Sequence, residues 1–149
     1  MNSLISIRID GVDIRQIVQD KRNDCLTSEI FQSVDLLDDT IYNNIKVGSP
    51  HASKQEIIMA ADKAQVLDFA WELPGGMHTR VGKGGIKLSN GKKLCIRIAQ
   101  ALLSHASIVL LEEVVDNLSA EDERYIQQAI QELVKLKAVV VMAYPWGTI

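Results

Sequence analysis

Apolar residues follow two rhythms along this chain. Near both ends they alternate or run together, as in strands. Between the ends they recur every three or four positions, as in helices. Leu4 to Ile9 alternates apolar and polar residues and predicts a strand. Asp10-Gly11 is a turn pair, after which Val12 to Ile14 returns as a short strand. Ile14 to Lys21 is weakly helical. Cys25 to Phe31 predicts a further strand, ending at Gln32. Asp39 or Thr40 caps a short helix through Ile45, and Gly48-Ser49-Pro50 stops it. Ser53-Lys54-Gln55-Glu56 is a capping box, and the helix it opens carries Ile57, Ile58, Ala61 and Ala64 on one face. A second helical piece holds Val66, Leu67, Phe69 and Ala70 and ends at Leu73-Pro74-Gly75-Gly76. Gly75 to Gly91 is rich in glycine and lacks apolar periodicity, so it predicts a long loop.

The rest is organised around Leu88 to Glu113. Ser89 and Asn90 are helix-capping residues. The helix after them runs to Leu103 with Leu94, Ile98, Ala101 and Leu102 on one face. Ser104 to Ser107 breaks it. Ile108-Val109-Leu110-Leu111 is a continuous apolar run, as in a parallel strand buried on both faces, and it stops at Glu112 and Glu113. Open α/β sheets place their ligand chemistry at that end of a strand. Ser119-Ala120-Glu121-Asp122 reads as another capping box, opening a helix with Ile126, Ala129, Ile130 and Leu133 on one face. Ala138 to Ala143 predicts a second buried strand. Strand, helix and strand form a βαβ unit with an expected right-handed crossover. The expected fold is α/β: a parallel-sheet core from the Leu4, Cys25, Ile108 and Ala138 segments, in residues 1–39 and 104–149. A mostly helical subdomain over residues 40–103 stands beside it.

Composition narrows the function classes. The chain has 149 residues, enough for a real core, with 47% hydrophobic and 23% charged residues. A net charge of −3 points to neither nucleic acid nor an anionic membrane surface. No apolar run approaches the roughly 20 residues of a spanning helix, so direct membrane insertion is not expected. Arg8 and Asp10 interrupt the first apolar stretch, so no signal peptide is expected. Cys25 and Cys95 read as reduced core thiols in a cytoplasmic setting. His51, His78 and His105 sit in polar breaks without metal-ligand spacing.

The central stretch resembles the second half of an ABC-transporter nucleotide-binding domain. That family's LSGGQ signature, opening a helix, falls on Leu88-Ser89-Asn90-Gly91-Lys92. Its Walker B strand falls on Ile108 to Glu113. The resemblance extends over nearly the whole chain. Leu73 to Lys92 is similar to the family's LPxGxxTxVGExGxxLSGGQ, with Lys83 where Glu is usual. Gln32 falls on the Q-loop glutamine, and Leu36 to Ile41 resembles the LFxxTI that follows it. The style is that of exporter subunits, the multidrug and lipid exporters. The resemblance implies a P-loop NTPase-type core, ATP and Mg²⁺ as cofactors, and ATP hydrolysis coupled to transport. It implies Glu113 and Tyr144 at catalytic positions, and Gln32, Ser89, Asn90, Gly91 and Lys92 at nucleotide-binding ones. Gln32 and Glu112 fall on the magnesium ligands.

Several positions depart from that pattern. No G-x-x-x-x-G-K-[ST] occurs in the sequence. That loop's amides and lysine hold the phosphates, and its hydroxyl holds Mg²⁺. The nearest stretch, Gly85 to Lys93, has five residues between its glycines where four are needed, and lies at the signature position. Glu112 stands for the Walker B Asp, one methylene longer, against a metal that demands near-octahedral geometry. Tyr144 stands for the switch histidine and Ser119 for the final acid of the D-loop. The chain is therefore expected to be a degenerate, truncated exporter ATPase domain. It should be inactive alone, with ATP binding no tighter than millimolar. Its partners would be the transmembrane domain of an exporter or a second nucleotide-binding domain, at the cytoplasmic face of a membrane. The alternative is a non-enzymatic module docking on a transporter or a complete ATPase subunit. Either way, exposed apolar surface and self-association are expected of the isolated chain.

Overall fold

Only two residues separate Ile9 from Val12, and so short a connection can only reverse the chain. In the structure, a computed structural model that describes residues 8–9, 12–13, 27–30, 35–112 and 118–142, Arg8–Ile9 (β1) accordingly pairs antiparallel with Val12–Asp13 (β2). This corrects the expectation that the Leu4 segment joins the parallel sheet: its described end belongs to a separate two-stranded ribbon. The weakly helical stretch from Ile14 to Lys21 lies outside the described residues.

The parallel sheet has three strands, Thr27–Ile30 (β3), Ile108–Glu112 (β4) and Ala138–Met142 (β5), in the order β3-β4-β5. Both pairings are parallel, with Ile30 opposite Leu111 and Leu111 opposite Val141. The most apolar run therefore takes the centre of the described sheet, and its Val109 is fully buried. β3 and β5 each have one partner among the described strands.

In chain order, a run of helices connects β3 to β4. It comprises Ile41–Lys46 (α1), Lys54–Lys63 (α2), Val66–Ala70 (α3) and Asn90–Leu103 (α4). Ala120–Leu136 (α5) connects β4 to β5. Hydroxyl caps set four of the helix starts. Thr40 Oγ1 accepts from the Asn43 N–H at 3.0 Å, Ser53 Oγ from Glu56 at 3.1 Å, Ser89 Oγ from Lys92 at 3.2 Å and Ser119 Oγ from Asp122 at 3.0 Å. At Ser53 the box is complete, because Glu56 Oε1 accepts from the Ser53 N–H at 2.8 Å. The Ser53 N–H first, and the Ser53 hydroxyl second, hold the Glu56 carboxyl below its usual range. Ser53→Ala should cost about 1 kcal/mol in urea denaturation. An unchanged midpoint would contradict the cap's contribution.

The expected box at Ser119 forms only its hydroxyl half, and this is a correction. Asp122 is a methylene shorter than the Glu a box prefers. Its side chain is buried against Gly91 of α4 instead.

α4 is the hub of the fold. Its predicted apolar stripe is there, but Cys95, Ile96 and Ala99 are fully buried as well. α1, α2 and α3 pack on this helix, and so do α5 and β3, which leaves little of its circumference for solvent. Gly48, just past α1, presses on it so closely that a Cβ there would lie 2.2 Å from the Gln100 carbonyl oxygen. Burial and, secondarily, the charge of Asp122 push the Cys95 thiol up to about 12. A free thiol in the unfolded chain ionises at 9.0, so the unfolded state loses its proton first and stability falls as pH rises above that value. Between pH ~8 and ~10 this group should remove about 1 kcal/mol of stability. Urea melts of Cys95→Ala beside the parent chain check this, since only the parent should carry that increment.

Beyond the hub, the Lys137 amine donates to the Ser104 carbonyl at 2.7 Å and to that of Ala106, joining the turn before β4 to the start of β5. Burial lowers its pKa. Some large apolar side chains reach the surface: Trp71 is 87% exposed, and Val134 and Leu136 are more than half exposed.

Candidate functional site

The predicted long loop is more ordered than its glycines suggest. Gly76–His78 forms a short 3-10 turn. Residues 79–81 then pair with residues 39–41: the Ile41 N–H donates to the Thr79 carbonyl at 3.1 Å, and the Val81 N–H to the Asp39 carbonyl at 2.9 Å. Gly82 follows with φ 86°, a left-handed backbone that favours glycine, its Cα beside the Leu37 carbonyl. Asp38 fastens the next turn. Its Oδ1 accepts from the Gly84 N–H at 3.2 Å and lies 3.5 Å from the exposed Arg80 guanidinium. The glycine loop is thereby zipped to the segment that follows the Gln32 position.

That segment is held in turn by Asn44, a residue the sequence reading passed over. Asn44 is fully buried on α1. Its Oδ1 accepts from the Leu37 N–H at 2.8 Å, while Nδ2 donates to the carbonyls of Leu37 at 3.1 Å and Thr40 at 2.9 Å. The Asn44 carbonyl accepts from Gln100 Nε2 at 2.6 Å, tying α1 to α4. The signal was available, since Asn44 sits between Ile41 and Ile45 on the apolar face of a short helix. Beside it, the side-chain amide of Asn43 and then the Thr40 N–H hold the Asp39 carboxyl below its usual range.

Ser89 to Lys92, four of the five signature-position residues, form one helix-opening turn. Ser89 is the exposed cap, Asn90 and Gly91 follow, and Lys92 closes the turn by donating its N–H to the Ser89 hydroxyl. Free N–H groups at such a turn, with the helix dipole behind them, favour an anion. Gly91 is buried. A Cβ there would lie 2.5 Å from the Cβ of Asp122 and 2.8 Å from its Oδ2, so the missing side chain makes room for α5. Lys92 and Lys93 diverge. The Lys92 amine lies 5.7 Å from the centre of the Phe69 ring, a cation–π distance. Lys93 lines a groove of about 530 Å³ together with Asp35, Leu36, Val81, Lys83 and Lys87, among others. Its lining combines three lysines and one aspartate with apolar side chains.

Glu112 is the last residue of β4, in register with Met142. An acid at the carboxyl end of a central parallel strand suits a hard cation such as Mg²⁺ in donor chemistry. Gln32, Glu113 and Tyr144 lie outside the described residues. Among the described residues, no group of three His, Cys, Asp or Glu side chains could hold a metal ion, and no helix is long and apolar enough to cross a membrane.

Fold and turn together define an α/β domain with a parallel sheet, whose long helical insertion ends in a capped, glycine-opened helix. No family profile matches the chain. It is 39% identical over 144 residues to the ATP-dependent lipid A-core flippase of Francisella novicida, covering 96% of this chain and 24% of the flippase. The flippase of the same name from Desulfotalea psychrophila is 40% identical over 144 residues, 97% of this chain and 25% of its own length. That of Legionella pneumophila (strain Paris) is 38% identical over 143 residues, 96% and 24%. These homologues are ABC exporters, and the chain matches a domain fragment of one, as its motifs indicated. It spans about a quarter of the length of these relatives.

Proposed function

We propose that the chain is an ATPase-type domain portion of an ABC exporter that contributes a signature turn and a Walker B-type strand end to a nucleotide site. The carrying observation is the Ser89-capped turn at the head of the most buried helix, in a chain this similar to ATP-dependent flippases. Ser89, Asn90 and Gly91 would face the phosphates of ATP. Lys92 would add positive charge, although its amine rests over Phe69. Glu112, with Gln32, would hold Mg²⁺, which when bound neutralises phosphate charge. Glu113 and Tyr144 would stand at the attacking water and the γ-phosphate. The sequence supplies no phosphate-cradling loop of the Walker type, so the P-loop half of the site would come from another polypeptide segment. The partner is then a second nucleotide-binding domain, and through it an exporter's transmembrane domain at the cytoplasmic face.

Two measurements test this reading. Calorimetric titration of the chain alone with Mg-ATP should show no binding tighter than millimolar. A micromolar dissociation constant would mean that another loop replaces Walker A. Sedimentation with the complete, hydrolysis-deficient ATPase domain of a lipid A-core flippase should show a complex that forms only with ATP and is lost in Ser89→Arg. Association indifferent to ATP and to Ser89 would favour the second reading, a docking module. The groove lined by Lys83, Lys87 and Lys93 supports that alternative.

A further inference from the structure

The helix-opening turn of α4 has a negative charge built in behind it. Asp122 is only 5% exposed, and its carboxylate has no hydrogen bond or ion pair among the described residues. Its one polar contact is through the backbone, where its N–H donates to Ser89's counterpart on α5, the Ser119 hydroxyl. The side chain turns away from its own helix and lies against Gly91, the second residue of α4, with Oδ2 2.8 Å from where a Cβ would stand. Its charge also reaches Cys95 a turn further along α4. Lys92 is engaged elsewhere, over the Phe69 ring. A carboxylate placed there takes up the positive potential of the helix end that would otherwise attract an anion from solvent.

We infer that Asp122 sets the anion affinity of the Ser89–Lys92 turn, as a fixed negative charge behind Gly91 that weakens the turn's hold on a phosphate group. The inference rests on the reading of this turn as phosphate-facing, and it identifies an affinity-determining residue on a different helix. Coulomb repulsion across a partly buried helix end is enough to shift binding by about tenfold at low salt.

The test uses the full chain, its D122N and D122S variants, and inorganic pyrophosphate as the probe. Amide shifts of Asn90, Gly91 and Lys92 are followed by NMR at low ionic strength. D122N keeps the side-chain shape against Gly91, and D122S relieves the packing, so the two separate charge from fit. The expected result is saturation at about tenfold lower pyrophosphate in both variants, a gap that narrows as salt is added. Equal midpoints in all three proteins would overturn the role of Asp122 and leave the phosphate-facing turn standing. Tighter binding by the parent chain would also overturn it, by making the carboxylate a helper. Absence of shifts in all three would remove the phosphate-facing reading, and the inference with it.

Discussion

Replacing Asn44 with alanine is expected to destabilise the domain by about 3 kcal/mol, out of the roughly 5–15 kcal/mol typical of a whole domain. The side chain is fully buried, and three of its hydrogen bonds, of 2.8, 3.1 and 2.9 Å, go to the backbone of Leu37 and Thr40. Alanine leaves the Leu37 N–H without its partner, removes one of two donors from the Leu37 and Thr40 carbonyls, which keep the Asp39 and Asn44 N–H groups, and opens a hole in place of a fully buried side chain. The orphaned N–H alone costs about 1–3 kcal/mol, more than a hydrogen bond normally contributes in net terms. The damage should spread, because the freed segment carries the Asp39 carbonyl that pairs with Val81 and the Asp35 carbonyl that accepts from Arg97 at 3.3 Å. Asn44→Asp separates polarity from size. It keeps an acceptor for the Leu37 N–H but sets a carboxylate against two carbonyl oxygens, so it should lose at least as much at neutral pH. Urea denaturation of both variants measures this. An alanine variant within 1 kcal/mol of the parent would show that the knot is solvated or replaceable.

Asn44 also shows where a sequence reading stops. The hydroxyl caps at Ser53, Ser89 and Ser119 were legible because a cap and the N–H it serves are three residues apart. The parallel pairing of the Ile108 and Ala138 segments was legible because strands covered on both faces read as unbroken apolar runs, whereas the third strand, Thr27–Ile30, carries no such run. The ribbon at Arg8 to Asp13 followed from the two-residue spacing, whereas placing the Leu4 segment in the parallel sheet ignored that same geometry. The one-sided stripe drawn on α4 was too narrow. Periodicity assumes a helix with one wet face, and this helix is enclosed by five other elements.

The candidate site divides the same way. The Ser89–Lys92 turn is contiguous and could be found by motif. Asp122 was noticed but assigned to its own helix, since nothing local says that a side chain will turn to a neighbour. The groove joins Asp35 to Lys83 and Lys93, residues brought together only by the fold. Asn44 was hidden for a related reason. A polar residue on an apolar stripe looks like a flaw in the pattern until its backbone partners, seven positions away at Leu37, are in place.

The Gly91–Asp122 contact supports the other large prediction, a loss of about 3 kcal/mol for Gly91→Val. Propensity alone argues the other way. Glycine is the weaker helix former by a few tenths of a kcal/mol, so valine would be slightly favourable in an open helix. Sterics win here. The new Cβ would lie 2.5 Å from the Cβ of Asp122 and 2.7 Å from its Cγ, distances at which something must move. These are not the far end of a flexible chain but the root of a buried side chain, fixed by a helix whose first turn Ser119 caps. Relief requires sliding α5 away from α4, which would loosen the contact that buries Ile126, Ala129 and Leu133. The added methyl groups of valine make the overlap worse than alanine would. Asp122→Gly should rescue part of the loss, because it removes the three atoms nearest the new Cβ. Unfolding free energies for the parent, the two single variants and the double variant form a cycle, and contact predicts a coupling of at least about 1 kcal/mol in favour of the pair. Strictly additive losses would show that Gly91 is needed for its backbone or for a ligand, and not for the approach of α5.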